Sequence, residues 1–164
     1  MSSKDVTIIS IAGKQNAGKT TLLKDLIPKL KEHGHRVGTL KYNIRKFDID
    51  HEGKDTYKYS NSGADSVAIS TQSEFVVMKK IANPLTLHEI IEAHFNDVDV
   101  VLVEGYREDG YPRIRITDPQ DTNSDKTDPE NELLLVNVKT ENRCFSTDDI
   151  NRATNFIEKS LKIT

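Results

Sequence analysis

Cysteine is nearly absent from this chain. Cys144 stands alone, so it can form no internal disulfide and supplies no cysteine-rich ligand set for zinc. Its neighbours Asn142 and Arg143 do not mark it as a nucleophile, and a chain without disulfides fits a reducing cytoplasm. Long apolar runs are missing too. None approaches the roughly 20 residues needed to cross a bilayer, and Met1-Ser2-Ser3-Lys4-Asp5 lacks the charged-then-apolar order of a secretory leader. A soluble protein with no membrane partner is expected. Basic charge is not in surplus either: 23 Lys and Arg face 26 Asp and Glu, a formal net charge of −3, so no field concentrates nucleic acid. The five histidines, His33, His35, His51, His88 and His94, are scattered along the sequence and form no local metal-binding cluster.

What is present points to an α/β protein, and its 164 residues suit one domain. Residues 6–12 are β-branched and nearly all apolar, which predicts a central strand buried on both faces of a parallel sheet. Leu22, Leu23, Leu26, Ile27 and Leu30 then recur at helical spacing and Gly34 closes the helix, while Pro28 predicts a kink or an early weakening. A strand over 36–40 follows, and then a polar stretch over 41–55 that is too long for a simple connection.

A short helix over 56–62, strands over 66–70 and 75–78, and a helix begun by the capping box of Thr86 and Glu89 come next. Residues 98–103 form a second strongly apolar strand that stops at Glu104-Gly105. Asp109-Gly110 followed by the alternating Arg113-Ile114-Arg115-Ile116-Thr117 predicts a ribbon or edge strand with both arginines on an exposed face. Residues 118–131 offer little to bury and read as a mobile excursion, after which a strand over 133–137 and a helix capped by Ser146 finish the chain. Alternating strands and helices give a three-layer α/β fold with a mostly parallel sheet.

Gly13-Lys14-Gln15-Asn16-Ala17-Gly18-Lys19-Thr20 matches G-x-x-x-x-G-K-[ST], and it lies between a buried strand and a helix start, where the pattern has physical meaning. Glycine allows the tight path that turns successive N–H groups toward one point, and the helix N-terminus adds partial positive charge. Gly13, Lys14, Asn16, Ala17 and Gly18 would surround the phosphates, with the Lys19 ammonium on the outer ones. The Thr20 hydroxyl would bind Mg²⁺, and Thr21 extends the polar edge. If the strand ending at Glu104 lies beside the first one, both deliver their ends to the same crevice. Glu104 would then hold Mg²⁺ directly or through water, and Gly105 would permit close approach to the terminal phosphate.

Several blocks together carry a family resemblance: 13–21, 34–41, Asp48-Ile49-Asp50-His51-Glu52-Gly53-Lys54-Asp55-Thr56, Ser62-Gly63-Ala64 and Val103-Glu104-Gly105-Tyr106. They resemble the molybdopterin-guanine dinucleotide biosynthesis protein B family, MobB, over roughly the first two-thirds of the chain. The resemblance implies a GTP-binding P-loop protein that commonly dimerises with itself. It would assist the molybdenum cofactor guanylyltransferase, which transfers GMP to molybdopterin, and would hydrolyse GTP slowly at most. It carries Lys41 over as a nucleotide contact. The family's histidines after the second strand are replaced here by Tyr42-Asn43-Ile44-Arg45, which argues against a histidine-dependent role for this loop.

Asp48 and Asp50 lie two apart, so an extended backbone points both carboxylates one way, toward Mg²⁺, its waters or a partner, with Asp50 the metal-ligand candidate and Lys54 and Asp55 closing over the nucleotide. Lys14 has a second reading. Its place resembles that of the extra lysine in the ParA and MinD relatives, which reaches phosphates across a dimer, although Gln15-Asn16 replaces the glycines used there. For the base, Asn137-Val138-Lys139-Thr140-Glu141 only loosely approximates N-K-x-D, so guanine rests on the resemblance.

The alternatives are a small-molecule kinase, for which Arg113 and Arg115 would be a thin lid, and a metal-insertion GTPase, for which the scattered histidines are poor ligands.

Overall fold

The computed structural model describes residues 6–44, 50–106, 108, 110–117, 131–136 and 145–161. Asp48, the stretch 118–130, the loose base motif at 137–141 and Cys144 lie outside the described residues, as does Asp109 of the expected turn. The chain divides into two compact units, Met1–Asn43 with Leu87–Thr164, and Ile44–Thr86.

In the first unit, β1 (Thr7–Gly13) buries five consecutive residues, as a strand covered on both faces must. It is the middle of a five-stranded sheet, with β5 (Val100–Glu104) on one side and β6 (Arg113–Thr117) on the other. Outside these lie β2 (Val37–Lys41) against β5 and β7 (Glu132–Val136) against β6. Every pairing in this sheet is parallel. The pattern around 106–117 predicted a ribbon or edge strand, but β6 is an interior strand. Its Ile114 and Ile116 are buried against one face, while Arg113 and Arg115 are half-buried on the other.

Parallel strands need crossovers, and the helices that make them cover both sheet faces. On one face α1 (Lys19–Glu32) and α4 (Thr147–Leu161) pack Leu22, Leu26, Leu30, Ala153 and Ile157 on Ile9, Ile11, Leu102 and Ile114. On the other, α3 (Leu87–His94) packs Leu87 and Ile91 on Ile8, Val101 and Val103. Alternate residues of β1 and β5 therefore feed opposite cores, and the expected three-layer α/β arrangement is what the chain builds. Each fully buried leucine or isoleucine here stabilises the fold by about 1.5–3 kcal/mol.

The helix α1 runs through Pro28 unbroken to Glu32. It ends as a glycine-closed helix should: Gly34, at φ +88°, lets the Gly34 N–H reach Lys31 O at 3.0 Å and the His35 N–H reach Leu30 O at 3.1 Å. The α4 start is also built from its sequence signal. Ser146 Oγ accepts from the Asp149 N–H at 3.1 Å, and Asp149 Oδ2 accepts from the Ser146 N–H at 3.0 Å, a reciprocal cap.

In the second unit α2 (Asp55–Asn61) packs on β3 (Ser66–Ser70), which pairs antiparallel with β4 (Phe75–Lys79) in a separate two-stranded sheet. Thr71 makes the turn, its Oγ1 accepting from the Glu74 N–H at 2.9 Å. Lys80 ties the hairpin to the end of α2 by donating from Nζ to Ser60 O at 2.9 Å.

Candidate functional site

The loop joining β1 to α1 lies at the carboxyl edge of the sheet. Its entry requires glycine: a Cβ on Gly13, at φ +155°, would sit 3.0 Å from Ile116 O and 3.2 Å from Ala17 Cβ. The loop then turns through Asn16 at φ +62° and Gly18 at φ +99°, with the Ala17 N–H donating to Lys14 O at 3.2 Å. Gly18 is the N-cap of α1, so it brings no side chain to the first-turn N–H groups, and no acidic residue stands in that turn. Helix starts usually satisfy these groups with a cap or a carboxylate. Here neither is present.

Lys19 reaches back over the loop. Its Nζ donates to Gly13 O at 3.0 Å and Lys14 O at 2.8 Å, and lies 3.9 Å from Glu104 Oε1. Both side chains are largely enclosed, 14% and 18% exposed, so their charges act with little solvent screening. Glu104 arrives because β5 pairs directly with β1, Ile11 opposite Glu104, and Lys41 ends β2 opposite the same carboxylate. The condition attached to Glu104, that its strand lie beside the first, is met. Thr20 is exposed at the start of α1, while Thr21 borders a cleft of about 440 Å³ with Asp25, Lys29, Phe145 and Ile150.

Gly105 follows at φ +96°, and a Cβ there would collide with the Tyr42 carbonyl oxygen. Tyr42 in turn donates its N–H to Glu104 O at 2.8 Å. The crowding comes from this strand-end crossing of the chain, a reason for glycine that strand patterns do not display. The same corner holds a ring cluster that the sequence reading did not single out: Tyr42, Tyr106 and Tyr111, with centroids 5.9 and 5.5 Å apart. Desolvation first, then the Glu108 carboxylate, raises the Tyr106 hydroxyl above the ordinary phenol value, so it is a neutral donor near neutrality.

Asp50, Lys54 and Asp55 belong to the second unit. Asp50 Oδ1 accepts from the His51 N–H and from Thr56 Oγ1, both at 3.0 Å, whereas its Oδ2 is buried with no hydrogen-bond partner. Lys54 is the N-cap of α2, and Asp55 Oδ1 accepts from Lys58 Nζ at 2.9 Å. The arginines of β6 are engaged as well: Arg113 Nη2 donates to Glu108 O at 2.9 Å, and Arg115 Nε lies 3.0 Å from Glu132 Oε1.

The loop residues fit a nucleotide phosphate: uncapped amides, a helix N-terminus and an ammonium converge beside a carboxylate. Mg²⁺ also fits the hydroxyl and carboxylate oxygens present, since it takes one or two protein ligands and fills its shell with phosphate oxygens and water. No helix among the described residues is long and apolar enough to cross a membrane.

The chain is 29% identical over 113 residues to the molybdopterin-guanine dinucleotide biosynthesis adapter protein of Haemophilus influenzae, covering 68% of this chain and 64% of that protein. It is 31% identical to the Escherichia coli protein of the same description, covering 66% and 64%, so the match spans just under two-thirds of each relative. A probable adapter protein of Bacillus subtilis is 32% identical, covering 80% and 72%. Among solved structures, one of molybdopterin-guanine biosynthesis protein B superposes with a TM-score of 0.67 at 26% identity, covering 94% of this chain and 99% of that one. Bacillus subtilis MobB superposes with a TM-score of 0.68 at 25% identity, covering 94% and 97%. With residues 8–140 matching the family described as molybdopterin guanine dinucleotide synthesis protein B, the chain belongs to the MobB family.

Proposed function

We propose that the chain binds GTP and Mg²⁺ at the loop 13–20 and acts as an adapter in the formation of molybdopterin guanine dinucleotide. The observation that carries this reading is Lys19 lying across the loop, over an uncapped helix start and 3.9 Å from Glu104. The amides of the α1 start and the Lys19 ammonium bind the phosphates, while Thr20 and Glu104 hold Mg²⁺. Bound Mg²⁺ supplies charge neutralisation to the phosphate oxygens. Guanine is preferred on family grounds, the relatives being named for a guanine dinucleotide. Turnover is slow, because P-loop hydrolysis needs an arginine or glutamine directed at the reacting phosphate and water. Of the β6 arginines, Arg113 Nη2 is held on Glu108 O and Arg115 pairs with Glu132.

The partner proposed is the guanylyltransferase, with molybdopterin as its acceptor, in the cytoplasm. A second copy of the chain is the other partner, supported by the apolar residues of the β3–β4 hairpin: Ile69, Phe75, Val76 and Val77 are 43–69% exposed.

Titration with a fluorescent GTP analogue tests the nucleotide reading. Lys19→Ala is expected to weaken binding about 10- to 100-fold, the worth of one charge-assisted contact; unchanged affinity in a folded variant refutes it. Purified guanylyltransferase supplied with molybdopterin and GTP tests the adapter role. Product formation should rise with the wild-type chain and not with Lys19→Ala, and an equal rise with both would sink the role.

A further inference from the structure

The end of α1 remote from the phosphate loop carries His33, Gly34 and His35, with Gly34 at φ +88° turning the chain between the two imidazoles. Both rings converge on one oxygen of α4. His33 Nδ1 lies 2.8 Å, and His35 Nε2 3.0 Å, from Glu158 Oε1. The three side chains are 25–38% exposed and, with Leu161, border a cleft of about 380 Å³, so protons reach them freely. Among the described residues no three His, Cys, Asp or Glu side chains are arranged to hold a metal ion. Two N–H donors sharing one acceptor is instead the geometry of a proton-dependent contact.

We propose that His33, His35 and Glu158 form a pH-sensitive latch that ties the end of the phosphate-loop helix to the C-terminal helix. A neutral imidazole donates one hydrogen bond, and a protonated one makes that bond charge-assisted and roughly twice as strong. The Glu158 carboxyl is held below the usual carboxylate range, first by the hydrogen bond from His33 and then by that from His35. The other charged groups of this corner are committed elsewhere or exposed: Lys29 pairs with Glu32 at 3.8 Å, Arg36 with Asp99 at 3.3 Å, and Lys31 and Lys159 are exposed.

The sign follows from these groups. A carboxylate whose folded pKa is depressed stabilises the fold above the ordinary carboxylate range, and that stability is lost as pH falls through the depressed value. Where the imidazoles are neutral, only two uncharged bonds to the carboxylate remain. The latch is therefore tighter on the acid side of neutrality than on the alkaline side, until pH falls into the depressed Glu158 range.

Amide hydrogen exchange of residues 157–161 in the full chain tests the latch, comparing protection in variant and wild type at pH 5.5 and pH 8. Glu158→Gln is expected to lower protection about three- to tenfold at pH 5.5 and less at pH 8. His33→Gln with His35→Gln should abolish the difference between the two pH values. Equal losses at both pH values, or no loss, overturn the proposal. The second measurement is the imidazole titration of His33 and His35 by NMR. Glu158→Gln should move both midpoints to lower pH, and unmoved midpoints refute the coupling whatever the exchange data give.

Discussion

Gly105 is the residue at which backbone and site chemistry meet. Its φ of +96° is a conformation L side chains rarely adopt, and the Tyr42 carbonyl occupies the position of a Cβ. The neighbouring peptide is the one whose carbonyl accepts from Tyr42, and it carries Glu104. Gly105→Ala must therefore shift Tyr42 or the end of β5, at a cost of about 1–3 kcal/mol. The melting temperature is expected to drop by roughly 2–12 °C, and more Mg²⁺ should be needed for nucleotide binding. Differential scanning calorimetry and a Mg²⁺ titration of analogue binding check the two effects, and a normal melting temperature would mean that the crossing relaxes freely. Glu104→Gln makes the complementary change, keeping the backbone and removing the charge. It should shift the Mg²⁺ requirement, and any fall in melting temperature comes from the Lys19 ammonium left without its carboxylate.

Among the elements, those specified by neighbouring residues were legible and those specified by distant partners were not. The phosphate loop lies in eight consecutive residues between a buried strand and a helix, and the structure joins the same elements there. Glu104 reached the same crevice on one condition, that its strand lie beside the first, and the pairing of β5 with β1 meets it. β6 was misread because Asp109-Gly110 and alternating arginines mimic a hairpin, while its actual partners, β1 and β7, are parallel and distant in sequence. The His33–Glu158–His35 contact was invisible for the same reason, its members lying 123 and 125 positions apart. Local signals also make local predictions. Ser146→Ala removes the acceptor for the Asp149 N–H and breaks the reciprocal cap of α4. It should cost about 1 kcal/mol, read as a shifted urea midpoint with an unchanged slope.

For the whole molecule, the unresolved demand is the covering of the hairpin. A two-stranded sheet is marginal in water unless a face is buried, and α2 gives β3 only part of that cover. In the pairing register Val67 and Ile69 share a face with Met78 and Val76, while Ala68, Val77 and Phe75 lie on the other, so both faces carry apolar side chains. Val67 is buried, but Phe75 is 69% exposed and Val77 47%. Clustered apolar exposure of this kind marks an interface, and a second copy of the chain presents a surface of the same chemistry, as a two-fold symmetric contact requires. Analytical ultracentrifugation at micromolar concentration should therefore give a dimer. Phe75→Glu with Val77→Glu should yield a monomer that retains GTP-analogue binding, because the phosphate loop and Glu104 belong to the other unit. A wild-type chain that sediments as a monomer would remove the second copy as the hairpin's partner and leave the guanylyltransferase to cover it.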